Sequence, residues 1–387
     1  MVRFKNNPMS TIEKTATLIK SRFIDSMLSD KIALARLGLG TTKQQIESSR
    51  ELLDIESRAA AQKQKQRETE AEFKVYVNEY FHDALFEYLD ERTADSEFLF
   101  SEILSVDPGI PPLFDACVAK ATGAGRLDEL ISQMPWLTRD VLNLVNNPPF
   151  RETKSQKAHV QDVGLAVRYV GVDNIKFALL TYVAKSWLPH STEPYSEFKS
   201  RYWQYALATA NCARALAEDH HVDEVHAFLF ALIHGIGMTI SLRLYLRAFD
   251  SVRVTQMKKV LKADRKDIEK VLDSLVLDHN FVSDAVNKYA AKISASLMQS
   301  LPLKFAVMAP YAEEIAEDMP FKDASPLTQI VLQSKTYVQY KMLQKSRLIE
   351  LDEAKLFLTH AAINNKIISK LNGVNLKKLD LMAKDKN

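Results

Sequence analysis

The segment from Ala227 to Ser241, AFLFALIHGIGMTIS, carries the residues whose types and spacing best suit chemistry. His234 closes an apolar run, which predicts a buried helix end, and Gly235 and Gly237 let the backbone turn tightly there. A metal phosphohydrolase would have a His-Asp pair at such a turn. The histidine offers a neutral nitrogen, the aspartate can bridge two cations, and the metals activate water for attack on phosphorus. Glycine at position 235 has no side chain to offer, so we expect no carboxylate ligand there.

The other histidines that suggest a site have simpler interpretations. His220, His221 and His226 lie near a predicted helix–turn junction, without cysteines or carboxylates at the spacing of a zinc site. We expect them to be solvated turn residues. His82 and Asp83 form a literal His-Asp dipeptide, but they lie on an amphipathic helix with no glycine turn after them. We treat that dipeptide as a coincidence of sequence.

Seven sequence blocks follow one another through the middle of the chain. They are a proline-rich turn, an Asn-rich corner, a helix ending at glycine, an aromatic start to an alanine-rich helix, the His-Gly block, an Asp-His pair and a Leu-Pro pair: Pro111–Leu113, Leu142–Asn147, Val160–Gly171, Tyr202–Ala210, Leu232–Gly237, Asp278–His279 and Leu301–Pro302. In this order they resemble the HD-related output domain (HDOD) of bacterial signalling proteins, a degenerate branch of the HD phosphohydrolases. The resemblance covers roughly residues 103–314.

The chain departs from the family pattern at the positions that would bind metal. Tyr205 stands where the family has the histidine of a Trp-x-His block, Gly235 replaces the aspartate, and Pro310-Tyr311 replaces a frequent histidine pair. The resemblance implies a relic pocket formed by four residues: Tyr205, His234, Gly235 and His279. Two histidines without a carboxylate do not make a hydrolytic two-metal site. We therefore expect no catalytic residue, no bound metal and no cofactor.

The elements around this pocket are predicted to be helices. The chain has only ten glycines in 387 residues, against a usual frequency of about 7%, and glycine-poor chains have few hairpins. We predict an all-α, multi-helix bundle of the HD-domain type with an added N-terminal helical segment. Three parts are expected: an N-terminal helical segment at residues 1–95, the HDOD-like domain at 96–320, and C-terminal helices at 321–387. Two C-terminal helices, broken near Leu351, are predicted to close the fold.

The N-terminal segment differs in pattern from the rest. Capping boxes are predicted at Ser10 with Glu13 and at Thr42 with Gln45, and residues 59–71 read as a helix exposed on all sides. Apolar residues then recur every fourth position, which makes a stripe that must pack on something: Phe73, Val77, Phe81, Leu85 and Leu89. Two interpretations stay open, a helical hairpin packing on the main domain and a dimerising coil.

The charge and cysteine content limit which partners and which cellular compartment are expected. The 51 basic and 49 acidic side chains leave a net charge of +2, so nothing drives nucleic-acid binding by counterion release. The basic cluster at residues 258–266 has acidic residues interleaved, which is typical of a solvated helix face. Cys117 and Cys212 lie far apart in sequence and are expected to be buried and reduced. We predict no signal peptide, no membrane span and a cytoplasmic location.

Two functions from different classes remain open at this stage. The first is a non-catalytic signal-transduction module that binds another signalling protein, with a possible homodimer through the N-terminal helices. Members of the resembled family are often connected with cyclic-dinucleotide networks. The second is a ligand-binding pseudo-enzyme whose relic pocket still holds a nucleotide or a single metal ion. Residual metal-dependent phosphohydrolase activity is a weaker third alternative.

Overall fold

The computed structural model describes residues 10–38, 54–104, 106–148, 150, 159–379 and 381, and side chains within these ranges except those of residues 54–67 and 100–102. Helix is the regular structure throughout these ranges, and no strand occurs in them, which confirms the all-α prediction. The α-helices are α1 Thr11–Leu28, α2 Asp30–Arg36, α3 Asp54–Ala94, α4 Ser96–Phe98, α5 Ile110–Val118, α6 Ala124–Ser132, α7 Pro135–Asn146, α8 Val163–Val170, α9 Val172–Ser186, α10 Phe198–Leu216, α11 Glu224–Ile233, α12 Gly237–Lys262, α13 Lys266–Asp273, α14 His279–Ser300, α15 Ala309–Ala316, α16 Pro326–Lys345, α17 Leu351–His360 and α18 Asn365–Asn372. A π-helical segment, Leu99–Leu104, follows α4, and a short 3-10 helix, Glu218–His220, follows α10.

The first helix begins at the predicted capping box. The Ser10 hydroxyl accepts a hydrogen bond from the Glu13 amide at 3.2 Å, and the Glu13 carboxylate accepts one from the Ser10 amide at 2.7 Å. This reciprocal pairing satisfies two backbone donors that a helix start leaves open. The second predicted capping box, at Thr42 and Gln45, lies outside the described residues. Helix α1 packs against α2, α10, α14, α16 and α17.

The apolar stripe on α3 packs inside the molecule. Val77, Phe81, Leu85 and Leu89 are buried, and Phe73 is half-buried. They lie against α12, α13 and α14, with the Phe81 and Phe249 rings 5.0 Å apart and nearly perpendicular. The stripe is therefore covered by the chain's own helices.

His82 belongs to the same interface. Its Nε2 lies 2.9 Å from the Tyr245 hydroxyl, its Nδ1 lies 2.7 Å from the Asn78 carbonyl oxygen, and its ring stacks on Phe281 at 3.6 Å. Burial lowers the pKa of this histidine, which keeps it neutral in its apolar surroundings. The His-Asp dipeptide on α3 thus has a packing role.

One apolar core runs through all three parts predicted from the sequence. It includes Ile19 and Phe23 of α1, the central helices α10, α11, α12 and α14, and Leu343 and Phe357 of the C-terminal helices. The C-terminal part contains three helices where two were predicted. The additional helix, α18, begins at Asn365 and is capped by Asn364, whose side chain accepts from the Ile367 amide at 3.0 Å. The turn before it depends on Ala362 in the left-handed region (φ 51°), which sequence patterns rarely indicate for alanine.

The most apolar part of the chain lies at the centre of this core. Within the described residues one stretch, Glu224–Lys262, is long and apolar enough to cross a membrane by length and composition, with a mean hydropathy of 1.8 in its best window. That stretch comprises α11, a turn and α12, and 89% of the window is buried inside the molecule. A buried core helix passes the same test, so the finding is weak support for a membrane span.

Candidate functional site

His234 and the two glycines after it form the turn between α11 and α12. A side chain at Gly237 has no room, because its Cβ would lie 1.9 Å from the carbonyl oxygen of Ala290 on α14. The Gly237 amide donates to the Ser294 hydroxyl at 2.9 Å, which ties the turn to the same helix. Gly237 therefore permits α12 and α14 to pack closely beside the turn that carries His234.

Both ring nitrogens of His234 are engaged by the protein. Nδ1 lies 2.6 Å from the carbonyl oxygen of Ala231, and Nε2 lies 3.0 Å from the hydroxyl of Tyr205. A carbonyl oxygen can only accept, so Nδ1 carries the proton and donates it. Nε2 then holds the lone pair and accepts from the Tyr205 hydroxyl. In this tautomer neither nitrogen is free to bind a metal ion.

The surroundings of His234 favour its neutral form. Burial lowers its pKa to about 3, and the nearby Lys335 acts in the same direction, while the Ala231 carbonyl opposes them. Tyr205 is also buried, and burial raises the pKa of its phenol well above the usual value. Tyr205 packs against the Phe23 ring of α1, with the ring centroids 5.0 Å apart. His234 and Tyr205 thus form a neutral, hydrogen-bonded pair in the interior.

Gly235 faces the same aromatic residues without being forced to remain a glycine. A Cβ at this position would meet Tyr205 Cε1 at 3.4 Å, Tyr202 Cε2 at 3.6 Å and Met238 Cε at 3.7 Å, all ordinary contact distances. The fold therefore does not require glycine here, in contrast to position 237.

A cavity of about 620 Å³ opens beside this turn. Its lining comes from α1, α10, the α11–α12 turn, α14, the end of α15 and α16, and includes Thr17, Lys20, Ser21, Tyr205, His234, Gly235, Asp284, Asn287, Lys288, Lys292, Asp318, Lys335 and Gln339. Its volume falls within the range of about 300–1,000 Å³ that is usual for small-molecule sites.

Three of the four residues of the predicted pocket meet here, and His279 does not. Tyr205, His234 and Gly235 line the cavity, whereas His279 is absent from the lining residues among the described part of the chain. Its Nδ1 lies 2.8 Å from the hydroxyl of Tyr195, and the two rings meet edge to face. His279 is the first residue of α14, and the stretch of α14 that lines the cavity, residues 284–292, begins more than one helical turn later.

The lysines that line the cavity differ in whether they have a carboxylate partner. Lys20 pairs with Asp318 at 3.4 Å, and Lys288 pairs with Asp90 at 2.9 Å. Among the residues that the structure describes, Lys335 has no hydrogen-bond or ion-pair partner. Burial and, to a lesser extent, the charge of Lys20 lower the pKa of Lys335 to about 7, while Asp318 opposes the change.

The sequence interpretation missed Lys20, Lys335 and Gln339, which line the cavity from helices outside the block of family-like motifs. The signal for Lys335 is its position on α16, on the same face as buried Val331, Val338 and Gln339. A lysine on an otherwise buried face is unusual unless it has a role. Nothing in the sequence shows which pocket that face closes.

The histidines near residue 220 do not cluster as ligands. His220 Nε2 lies 3.1 Å from Gln333 Oε1, and His226 Nε2 lies 2.8 Å from the Val307 carbonyl oxygen. Both are half-buried, and burial lowers the pKa of His226, so only His221 is the solvated turn residue that the sequence predicted. Within the described ranges there is no group of three or more histidine, cysteine or acidic residues that could hold a metal ion. Cys117 and Cys212 are buried and unpaired by disulfides, as expected.

Comparison with known proteins gives the following matches. The family described as the HDOD domain matches residues 111–288. Two solved structures from Shewanella amazonensis SB2B are similar to the chain: a proposed phosphohydrolase, with 17% identity and a TM-score of 0.39, and a proposed metal-dependent phosphohydrolase, with 14% identity and a TM-score of 0.41. Each match covers 75% of this chain, and 97% and 99% of the two structures respectively. No curated protein matches the chain.

Proposed function

Residues 111–288 of this chain form an HDOD domain, and from this we propose that the protein is a non-catalytic bacterial signalling module that acts by binding another signalling protein. The observation that supports the non-catalytic part is the pairing of His234. Its Nε2 lone pair, which a catalytic metal would need, accepts a hydrogen bond from Tyr205 at 3.0 Å. The ligand position is satisfied by the protein itself.

Two departures from the family pattern support the same proposal together. Tyr205 stands where the family has a histidine. Its hydroxyl also donates a hydrogen bond to Nε2 of His234, the histidine that remains. Gly235 removes the carboxylate that would bridge two cations, although a Cβ would fit there. Glycine at a position where the packing does not require it is expected when a carboxylate there is no longer needed.

The remaining carboxylates of the cavity do not replace the missing ligand. Asp284 is exposed and lies 3.5 Å from Arg36, and Asp318 is exposed and pairs with Lys20 at 3.4 Å. Each is directed to a cation of the protein at the rim. A hydrolytic two-metal site needs carboxylates and imidazoles that converge on shared cations.

The proposed partner is a protein of a bacterial signalling pathway, and the proposed compartment is the cytoplasm. A homodimer through the N-terminal helices remains a second possibility for association. Because the α3 stripe is buried within the chain, such a dimer would need other residues of these helices, such as the exposed Val75 and Tyr76. Nucleic acid is not proposed as a partner, since the net charge is only +2.

Affinity capture from the bacterial host tests the interaction. The full chain serves as bait after mild crosslinking, and the destabilised Gly237→Ala chain serves as the matched control. We expect a signalling protein that is enriched only with the folded bait and that co-elutes with the purified chain in size-exclusion chromatography. The proposal fails if extracts from both growing and starved cells yield no protein that co-elutes in this way.

A second function, a ligand-binding pseudo-enzyme, is favoured by the cavity of about 620 Å³ beside His234. A ligand that binds only the folded state raises its apparent stability by mass action. Thermal unfolding with single divalent metals, nucleosides and nucleotides therefore tests this function. A ligand-dependent rise in melting temperature that is lost in a cavity variant would support it, and unchanged melting with every ligand would exclude it.

A further inference from the structure

We propose that the cavity beside His234 binds the phosphoryl group of a small molecule, and that Lys335 and Lys20 hold this anion. Both lysines come from helices outside the HDOD domain, Lys20 from α1 and Lys335 from α16. The inference rests on the second function proposed above, ligand binding by a pseudo-enzyme, and is independent of the protein partner.

The first argument is the unmatched charge of Lys335. The lysine lines the cavity, and within the described residues its ammonium group has no carboxylate or carbonyl partner. A half-buried ammonium group without an anionic neighbour is only partly compensated by the solvent of the cavity. A bound anion at this position would supply the compensation that the protein does not.

The charged side chains that line the cavity together with Lys335 are mostly cationic. Helix α1 contributes Lys20, α14 contributes Lys288, Lys292 and Asp284, and Asp318 follows α15. With Lys335, four cationic side chains and two carboxylates line the cavity, while Asp90 and Arg36, outside the lining, pair with Lys288 and Asp284. His234 is neutral, and His360 at the end of α17, which interacts with Lys335, has a pKa lowered by burial and by Lys20. The cavity therefore carries a net positive charge when Lys335 is protonated.

The carboxylates are too exposed to neutralise the interior. The side chains of Asp318 and Asp284 are 86% and 58% exposed, and both lie at the rim. Water screens such pairs strongly, so Asp318 compensates Lys20 only in part. Lys335 lies deeper, where screening is weaker and attraction for an anion is correspondingly stronger.

The cavity also offers neutral donors of the kind that phosphoryl oxygens use. Ser21 brings a hydroxyl group from α1, and Gln339 brings an amide group from α16, whereas Thr17 and Asn287 already donate to the carbonyl oxygens of Glu13 and Ser283. Hydrogen bonds from such donors combine with lysine charges in phosphate recognition. The volume of the cavity leaves room for a nucleoside attached to the phosphoryl group.

The protonation of Lys335 gives the site a pH dependence with a definite sign. The pKa of its ammonium group is about 7 without an anion, since burial and Lys20 lower it more than Asp318 raises it. An anion favours the charged form, so binding takes up a proton. Affinity is highest below pH 7 and falls above it, because the binding-competent fraction of the protein decreases.

Titration calorimetry on the full chain tests the site. Inorganic phosphate, adenosine monophosphate and adenosine are the three ligands, which separates a free phosphate from the phosphoryl group of a nucleotide. Sulfate serves for the pH series, since its charge stays constant from pH 6 to pH 8. We expect adenosine monophosphate or phosphate to bind, adenosine to bind at least tenfold more weakly, and sulfate affinity to fall about tenfold from pH 6 to pH 8.

The variants are Lys335→Met, with Lys335→Gln as a second form, and Lys345→Met as the control on the same helix outside the cavity. We expect both Lys335 variants to lose anion binding at least tenfold and to melt at a higher temperature than the wild type without ligand. Lys345→Met should bind like the wild type. The rise in melting temperature shows that the variants are folded.

Three results would overturn the inference: no binding of any phosphoryl ligand or sulfate, equal binding by the Lys335 variants, or equal binding of adenosine and its monophosphate. In the last two cases ligand binding by the pseudo-enzyme would stand, and only the anion site would fail. In the first case, binding of adenosine alone would preserve the pseudo-enzyme function, and no binding at all would remove both.

Discussion

The groups around His234 hold it as a neutral imidazole. Its two nitrogens are fixed by the Ala231 carbonyl and the Tyr205 hydroxyl, and its burial disfavours the protonated imidazole. The neutral imidazole is therefore part of the folded structure. Protonation would reverse the hydrogen bond with Tyr205, since a charged imidazole can only donate and the hydroxyl would then have to accept.

The neutral state of His234 predicts a pH-dependent stability. The unfolded chain takes up the proton near pH 6.5 and the folded chain only near pH 3, so the unfolded state binds more protons between these values. The contribution is complete above pH 6.5 and is lost as the pH falls. The unfolding free energy of the wild type should fall as the pH is lowered from 7 to 5. In His234→Gln we expect this fall to be smaller by about 2 kcal/mol.

Urea unfolding at the two pH values measures this difference. His190 is exposed, so His190→Gln should keep the pH dependence of the wild type. If the unfolding free energy falls equally from pH 7 to pH 5 in the wild type and in His234→Gln, the assignment of a buried neutral imidazole is contradicted.

The two glycines after His234 are expected to differ sharply in their tolerance of a methyl group. Gly237→Ala would place a Cβ 1.9 Å from the Ala290 carbonyl, which forces α12 and α14 apart and should cost about 3 kcal/mol. Gly235→Ala meets only side-chain atoms at 3.4 Å or more and should change the unfolding free energy by less than about 1 kcal/mol. Denaturant unfolding of both variants tests the contrast, and similar losses would refute the packing role of Gly237.

Sequence patterns predicted the immediate surroundings of His234 better than the far wall of its cavity. The turn glycines and Tyr205 belong to ordered blocks with recognisable neighbours, and three of the four predicted pocket residues meet. Lys335 lies about a hundred residues from His234, and Lys20 lies more than two hundred residues before it. Their meeting depends on how α1 and α16 pack, which the spacing of residues within one helix does not specify.

At the scale of elements, α3 shows what a periodic stripe does and does not indicate. The four-residue spacing of Val77, Phe81, Leu85 and Leu89 predicted an apolar face, and the structure buries that face. The spacing could not distinguish packing on α12 from packing on a second copy, because both bury the same stripe. The contact with Phe249 and the neighbouring His82–Tyr245 pair make the intramolecular partner specific.

Two substitutions on α3 separate the buried face from the exposed one. Phe81→Ala removes a fully buried ring and should lower the unfolding free energy by about 3–5 kcal/mol. Tyr76→Ala, at a side chain that is 56% exposed, should change it by less than about 1 kcal/mol. Thermal and urea unfolding check both values. A larger loss for Tyr76→Ala, together with a change in the mass of the particle in solution, would instead indicate a dimer through this face.

At the scale of the whole molecule, the continuous core suggests cooperative behaviour. Side chains from residue 16 to residue 371 belong to one buried apolar cluster, in which α1 packs against the C-terminal α17 and the central α14. Sequence patterns suggested three parts because composition changes along the chain. A change of composition along the chain indicates which segments are exposed or connect others. It does not indicate whether those segments share one apolar core.

Calorimetry tests whether these parts unfold together. A shared core predicts one main unfolding transition for the full chain, with the calorimetric and van't Hoff enthalpies in agreement. Separate transitions for the N-terminal segment and the HDOD domain would show that the three predicted parts are independent folding units.

The central claim, that the site does not catalyse hydrolysis, is tested most directly by an assay for metal-dependent turnover. The full chain is incubated with Mn²⁺ or Mg²⁺ and with phosphomonoesters and phosphodiesters, alongside His234→Ala and an active phosphohydrolase as positive control. We predict that the wild type releases product no faster than His234→Ala or buffer with metal. Turnover by the wild type that disappears in His234→Ala would contradict the account.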